Sequence, residues 1–214
     1  MNFIKYFKKI VYLFVIIGYS SASAGSYEDF FSALDRNDPG SVTRLLERGF
    51  DPNTRDPQGR TGLFVALQKE SFDAAQALFR HPQIDVNALN NNDESPLMMA
   101  AMKGQVQWCK QLLDKGAVVN KTGWTPLHYA ASGSEHQVVA LLLDKGAAID
   151  APSPNGSTPV MMAALYGSEA SVNLLVTRGA DLKRKNDLGL TASDFAARGG
   201  RDKLAAQLKI SAGG

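Results

Sequence analysis

Thr125-Pro-Leu-His-Tyr-Ala130 lies past the middle of the chain, and its outline returns on both sides. Ser95-Pro-Leu-Met-Met-Ala100 precedes it, and Thr158-Pro-Val-Met-Met-Ala163 follows. Thr61-Gly-Leu-Phe-Val-Ala66 and Thr191-Ala-Ser-Asp-Phe-Ala196 are weaker copies, so the heads start at 61, 95, 125, 158 and 191. A second signature trails them at a fixed distance. Leu112-Leu-Asp-Lys-Gly-Ala117 and Leu142-Leu-Asp-Lys-Gly-Ala147 are near identical. Leu45-Leu-Glu-Arg-Gly-Phe50 and Leu174-Leu-Val-Thr-Arg-Gly-Ala180 are looser versions. Self-similarity at steps of 30 to 34 residues is the mark of an array of stacked units.

Each signature has a mechanical reason. Thr or Ser before Pro starts a helix: the hydroxyl accepts from a free backbone N–H, and Pro suits the first helical position. The apolar and Ala positions after it give a short helix with a small-residue face. A second helix runs to Gly49, Gly116, Gly146 or Gly179, where Gly can adopt the left-handed stop conformation. Polar links follow, with turn positions at Gly59, Gly123, Gly156 and Gly189, and Asp93 in the corresponding place of one link. Leu112, Leu142 and Leu174 are expected to be buried, each contributing roughly 1.5–3 kcal/mol.

A helix–turn–helix unit of about 33 residues headed by T-P-L-H-x-A resembles the ankyrin repeat. The resemblance covers about residues 28–210 and implies an all-α solenoid of about six helix pairs with short hairpin-like links. Approximate repeats are 27–57, 58–90, 91–121, 122–154, 155–187 and 188–212, within a domain at 25–214. Phe30-Phe-Ser-Ala33 opens the first repeat and Lys203–Lys209 the last helix; both ends act as caps. Two departures stand out. His81-Pro-Gln83 replaces the helix-ending Gly of the second repeat, so its exit turn must differ. The link Asn120-Lys-Thr-Gly123 lacks about three residues, which leaves Trp124 beside a stunted hairpin.

The start of the chain has a different grammar. Met1–Lys9 is basic, Ile10–Tyr19 is continuously apolar, and Ala22-Ser23-Ala24 completes the order of a secretory signal. Cleavage is expected after Ala24, giving a periplasmic or secreted protein without a membrane span. An uncleaved anchor is the alternative. Of 214 residues, 23 are Lys or Arg and 21 Asp or Glu. Taking away Lys5, Lys8 and Lys9 leaves 20 basic against 21 acidic side chains. Nucleic-acid binding needs concentrated positive charge, and this balance argues against it.

Few residues offer chemistry. Cys109 aligns with Val42, Ala75, Val139 and Val172 and is expected in the core. By resemblance, the His128 ring bonds neighbouring backbone; Phe64, Met98 and Met161 replace it in other copies. His81 and His136 have no ligand-spaced partners beyond Asp85 and Glu135, so no metal or cofactor is expected. The basic triplet Lys183-Arg184-Lys185 is either a solvated tip or a small anion contact. In this family partners are gripped at hairpin tips and at exposed positions of the first helix. The positions where the repeats disagree there include Arg60, Glu94, Met102, Lys103, Trp124 and Tyr166, besides the pairs Gln68-Lys69, Ser132-Gly133 and Leu165-Tyr166. Such a set has the makeup of an interaction patch. The expected function is a monomeric, non-catalytic scaffold for another protein, exported and accessory or protective. The alternative is a periplasmic hydrolase with a site on the concave face. If Trp124 is an ordinary surface anchor, Trp124→Ala keeps folding stability within ~0.5 kcal/mol and weakens partner binding by about 2 kcal/mol or more; thermal melts and a binding titration check this, and the opposite pattern means that Trp124 only fills space beside the short link.

Overall fold

The computed structural model describes residues 25–213. The leader expected at 1–24 lies outside them. The helices are α1 (25–35), α2 (Pro39–Glu47), α3 (Gly62–Lys69), α4 (Phe72–Phe79), α5 (Pro96–Met102) and α6 (Val106–Asp114). They continue with α7 (Pro126–Ser132), α8 (His136–Asp144), α9 (Pro159–Leu165), α10 (Glu169–Thr177), α11 (Ala192–Arg198) and α12 (Asp202–Gly213). The only bridge pairing outside helices among the described residues joins Arg55 and Thr61. This is the all-α solenoid of helix pairs that the repeats imply. Two compact units are distinguished: the described residues up to Asp56 with Thr61–Ile84, and Pro57–Arg60 with the described residues from Asp85 onward.

In the first unit α2 and α3 pack on α4, over a core of Phe30, Leu34, Val42, Leu63, Phe64 and Leu78. Its head has Gly62 where the better copies have Pro. Packing explains the change, because a Cβ there would lie 2.5 Å from Cζ of Phe30. The Phe30 ring is fully buried, 4.8 Å from the ring of Phe50 and 5.2 Å from that of Phe31. Helix α4 lacks a side-chain cap from its own Ser71. Asn37 supplies one from the preceding helix pair: its Oδ1 accepts from the N–H groups of Asp73 and Ala74, both at 3.0 Å.

In the second unit the first helices form a row, α5 on α7 on α9 on α11, and the second helices α6, α8 and α10 form another. Ala100, Ala130, Ala163 and Ala196 are fully buried along the first row, where a small side chain permits close approach. Cys109, Val139 and Val172 are likewise fully buried in the second row, so the alignment of the cysteine with apolar positions holds. Burial pushes its thiol up to about 12, which makes it a poor nucleophile.

The heads cap themselves reciprocally. Ser95 Oγ accepts from Met98 N (3.2 Å), and Met98 Sδ accepts from Ser95 N (3.4 Å). In the next copy His128 Nδ1 accepts from Thr125 N at 3.2 Å; Asp194 Oδ2 does the same for Thr191 N at 2.8 Å. The residues that replace His128 are therefore not idle, since Met161 Sδ also accepts, from Thr158 N at 3.3 Å. Only Phe64 leaves that role empty. Thr158 departs differently: its buried hydroxyl oxygen has no partner. His128 has a second task that a thioether cannot perform. Because the N–H of Thr125 can only donate, Nδ1 is the acceptor and Nε2 carries the proton, which it gives to Ser157 O at 3.0 Å, one repeat later.

The glycine stops close as predicted. Gly116, at φ +90°, donates to Leu113 O, and Ala117 donates back to Leu112 O; this is the paired bond of a Schellman end. The same pair forms at Gly49, Gly146 and Gly179. It fixes the register, and it corrects one expectation: the residue equivalent to Leu45, Leu112 and Leu142 is Leu175, which is fully buried, while Leu174 is half-buried. The pattern Leu174–Ala180 is one residue longer than its companions, so matching its first leucine put the core one place early. Helix α4 ends differently, at Arg80 in the right-handed region. At the far end Arg201 Nη1 donates to the carbonyls of Ala163, Ala164 and Gly167, at 2.9–3.0 Å, capping α9.

Two consequences can be measured. Gly62→Ala gains the usual helix preference for Ala, about 0.5–1 kcal/mol, but overpacks against Phe30, which typically costs 1–3 kcal/mol. The expected net is a lower denaturation midpoint, with the loss reduced when Phe30→Leu is added; an additive double mutant argues against that contact. Burial, the leading cause, lowers the pKa of His128 below 6.5 despite its bond to Ser157. The unfolded chain then binds the extra proton first, so stability is full above about pH 6.5 and declines as pH falls toward the lower folded value. His128→Met should remove this part of the pH dependence and cost about 1 kcal/mol at pH 8 through the lost bond to Ser157; urea titrations from pH 5 to 8 on both proteins test it.

Candidate protein-binding site

The links of the second unit are built on asparagine and serine. Asn90 Oδ1 accepts from the N–H groups of Asn92 and Glu94 (2.9 and 3.0 Å), and Asp93 takes the left-handed conformation at φ +63° between them. Ser153 Oγ accepts from Ser157 N, and Asn186 Oδ1 from Leu188 N and Leu190 N, which builds equivalent turns. Neighbouring links are laced together by a ladder the repeat signatures did not single out. Asn87 donates to Gly116 O and accepts from Val118 N; Asn120 does the same to Gly146 O and Ala148 N. The signal for it was present, as both follow a Val (Val86 and Val119) two or three residues beyond a turn.

The shortened link leaves Lys121 close enough to bond the Asp93 carboxylate and the carbonyls of Thr122 and Trp124. Lys121 becomes largely buried, 16% exposed. It helps hold Trp124 against the head that follows, edge-on to the His128 ring at 5.3 Å. Trp124 is consequently half-buried, not an ordinary surface residue. Truncating it would cost stability through the lost contact with His128 as well as any binding.

Glu94 is held from two sides. Asn90 Nδ2 donates to its Oε2 (2.7 Å), and the Tyr129 hydroxyl, 35 residues later, donates to its Oε1 (2.8 Å). Burial first, and the Glu94 bond second, raise the Tyr129 pKa, so this phenol keeps its proton. Glu94, Met102, Trp124 and Tyr129 line a hollow of about 210 Å³, completed by Ser132, Met162 and the edge of His128. Met102 is 43% exposed at its rim. The hollow therefore combines a fixed carboxylate, two aromatic rings and two thioethers, while the ring nitrogens of His128 are already bonded.

Three of the six predicted contact residues, Glu94, Met102 and Trp124, come together here. The other three do not line the hollow. Lys103 is exposed at the end of α5. Arg60 is half-buried, with its guanidinium 3.4 Å from Gln58 Oε1. Tyr166, 66% exposed, caps the end of α9. Gly133, grouped with the variable surface positions, is fixed instead by close approach: a Cβ would lie 2.8 Å from the Met102 carbonyl oxygen. Tyr129 and Met162 were missed because they occupy the fifth head position, apolar in every copy and so easily taken for core. Met99, Tyr129 and Met162 are all half-buried. In the basic triplet, Arg184 donates to Asp150 O at 3.1 Å, while Lys183 and Lys185 face solvent.

Comparison with known proteins agrees with this geometry. A model of ankyrin repeats (three copies) matches residues 30–122, 70–155, 118–186 and 137–210. Alpha-latrocrustotoxin-Lt1a of Latrodectus tredecimguttatus is 35% identical over 92 residues, 43% of this chain and 6% of that protein. Ankyrin repeat and SAM domain-containing protein 6 of Rattus norvegicus is 30% identical over 144 residues, 67% of this chain and 13% of that protein. The poly [ADP-ribose] polymerase tankyrase of Caenorhabditis elegans is 34% identical over 89 residues, 40% of this chain and 4% of that protein. The chain thus spans only 4–13% of the length of these relatives, and what is similar is the repeat array. With heads, stops and links in register and the repeat model matching from residue 30 to 210, the chain belongs to the ankyrin repeat family.

Proposed function

We propose that this protein is a non-catalytic interaction scaffold that works in a bacterial periplasm, as an accessory or protective partner of another protein. Ankyrin repeats indicate a protein–protein interaction scaffold, and that coarse function follows from the family. Recognition of one partner is supported by one observation: three of the six positions chosen because the repeats disagree, Glu94, Met102 and Trp124, line a single hollow. Core positions repeat because packing dictates them. A set that varies and also converges is what recognition of one partner requires.

Export is argued from the leader grammar, with its basic start, apolar run and Ala22-Ser23-Ala24. A lone buried thiol suits an oxidising compartment, where an exposed one would react. No described helix is long and apolar enough to cross a membrane. The near balance of charge argues against nucleic acid as the partner. A hydrolase would need an activated nucleophile in reach of a base. At the hollow the histidine has both ring nitrogens engaged, and the Ser132 hydroxyl donates to His128 O at 2.9 Å. The working form is proposed to be the monomer.

Expression of the full chain in a bacterial host should yield a periplasmic protein whose amino terminus is Gly25. Recovery from the cytoplasm with Met1 retained overturns the export reading. A photo-crosslinker at residue 102, in the native compartment, should capture one protein in constant ratio, and a crosslinker at exposed Lys110, on the second-helix row, should not. Equal capture from both positions removes the hollow as the recognition site. Esterase turnover that Ser132→Ala abolishes would favour the enzyme instead.

A further inference from the structure

We infer that the hollow at Glu94 receives an arginine side chain of the partner protein, a proposal that rests on the scaffold reading above. The carboxylate carries the argument. Glu94 accepts from Asn90 and from Tyr129, which uses two of its roughly four lone-pair sites. None of the ion pairs among the described residues involves it. The nearby cation, Lys121, is spent on Asp93 and on two backbone carbonyls. An anion fixed by two hydrogen bonds, lining a hollow and lacking a cation, is complementary to an incoming positive charge.

The remaining walls select the kind of cation. Trp124 and Tyr129 offer ring faces or edges, and Met102 and Met162 offer polarisable thioethers. A guanidinium is planar, weakly hydrated, stacks on aromatic rings, and can present a two-pronged donor to a carboxylate with one free site on each oxygen. An ammonium is compact and strongly hydrated, and it would surrender more water to enter an apolar-walled hollow. A neutral apolar side chain would bury the Glu94 carboxylate without a partner, which is costly.

The test titrates the full chain with Nα-acetyl-arginine amide and with its neutral isostere, Nα-acetyl-citrulline amide. Met102 and Met162 methyl resonances and tryptophan fluorescence are followed. The arginine amide should shift both methyls saturably, with the citrulline amide at least tenfold weaker. Glu94→Gln should weaken the arginine response tenfold or more. Because Glu94→Gln also disturbs the bond from Asn90, a second variant is used: Met102→Lys, at an exposed rim position, supplies a tethered cation and should abolish the response while leaving the melting temperature within a few degrees. Equal binding of citrulline amide, or an arginine response that survives both variants, overturns the inference. Partner capture through residue 102 separates the two levels: capture with no arginine preference leaves the scaffold and removes only the arginine, whereas no capture removes the scaffold reading itself.

Discussion

A helix of seven to nine residues is too short to persist in water, because nucleating a turn costs more than so few hydrogen bonds return. Helices α2 to α11 of this protein are all of that length, so each exists only through its caps and its neighbours. The heads answer this constraint in a small space. One side chain caps the first turn while the residue three places on returns a bond to the cap, and the acceptor is a thioether, an imidazole or a carboxylate depending on the repeat. In these three heads what varies is the atom, and what stays is the closed pair. His128 goes further by spending its second nitrogen on Ser157, so that the same residue ends one helix's exposure and ties two repeats.

Much of this was legible in sequence because short helices need strong punctuation. Thr-Pro heads and Gly stops are local devices with local causes, and each formed where the residues stand. Where sequence and structure part, the cause is a contact between segments distant along the chain. Gly62 reads as a weak head, yet it is Phe30 that excludes a side chain there. Leu174 is the local exception: string matching reads it as the core leucine, but the helix-end bond from Ala180 to Leu175 sets the register. The asparagine ladder of Asn87 and Asn120 reads as ordinary polar link and turns out to join successive links through two hydrogen bonds each.

The hollow divides in the same way. Glu94, Met102 and Trp124 were identifiable because they break the repeat, and a break in a repeated pattern is visible without coordinates. Tyr129 and Met162 keep the pattern, and their half-exposure follows from where the fifth head position sits on the first helix, not from their identity. The bond from Tyr129 to Glu94 spans 35 residues and left no mark in the sequence beyond the presence of a hydroxyl. The loss of three residues from one link was conspicuous; that it would bury Lys121 against Asp93 and lay Trp124 on His128 depended on the adjoining turn.

The site therefore has no existence within one repeat. Glu94 and Met102 come from one helix pair and its link, Trp124 and Tyr129 from the next, and Met162 from the one after. In a quasi-one-dimensional array, stability is a sum of unit and neighbour terms, and a local loosening need not unfold the whole. Recognition at the proposed hollow would not share that tolerance, because its lining is drawn from three consecutive units. A slip of either interface separates the carboxylate from its phenol or the indole from its imidazole before the remaining helices are disturbed. The reciprocal caps and the bond from His128 to Ser157 thus serve two ends with the same atoms: they keep short helices folded, and they hold the register in which residues from three repeats face one another.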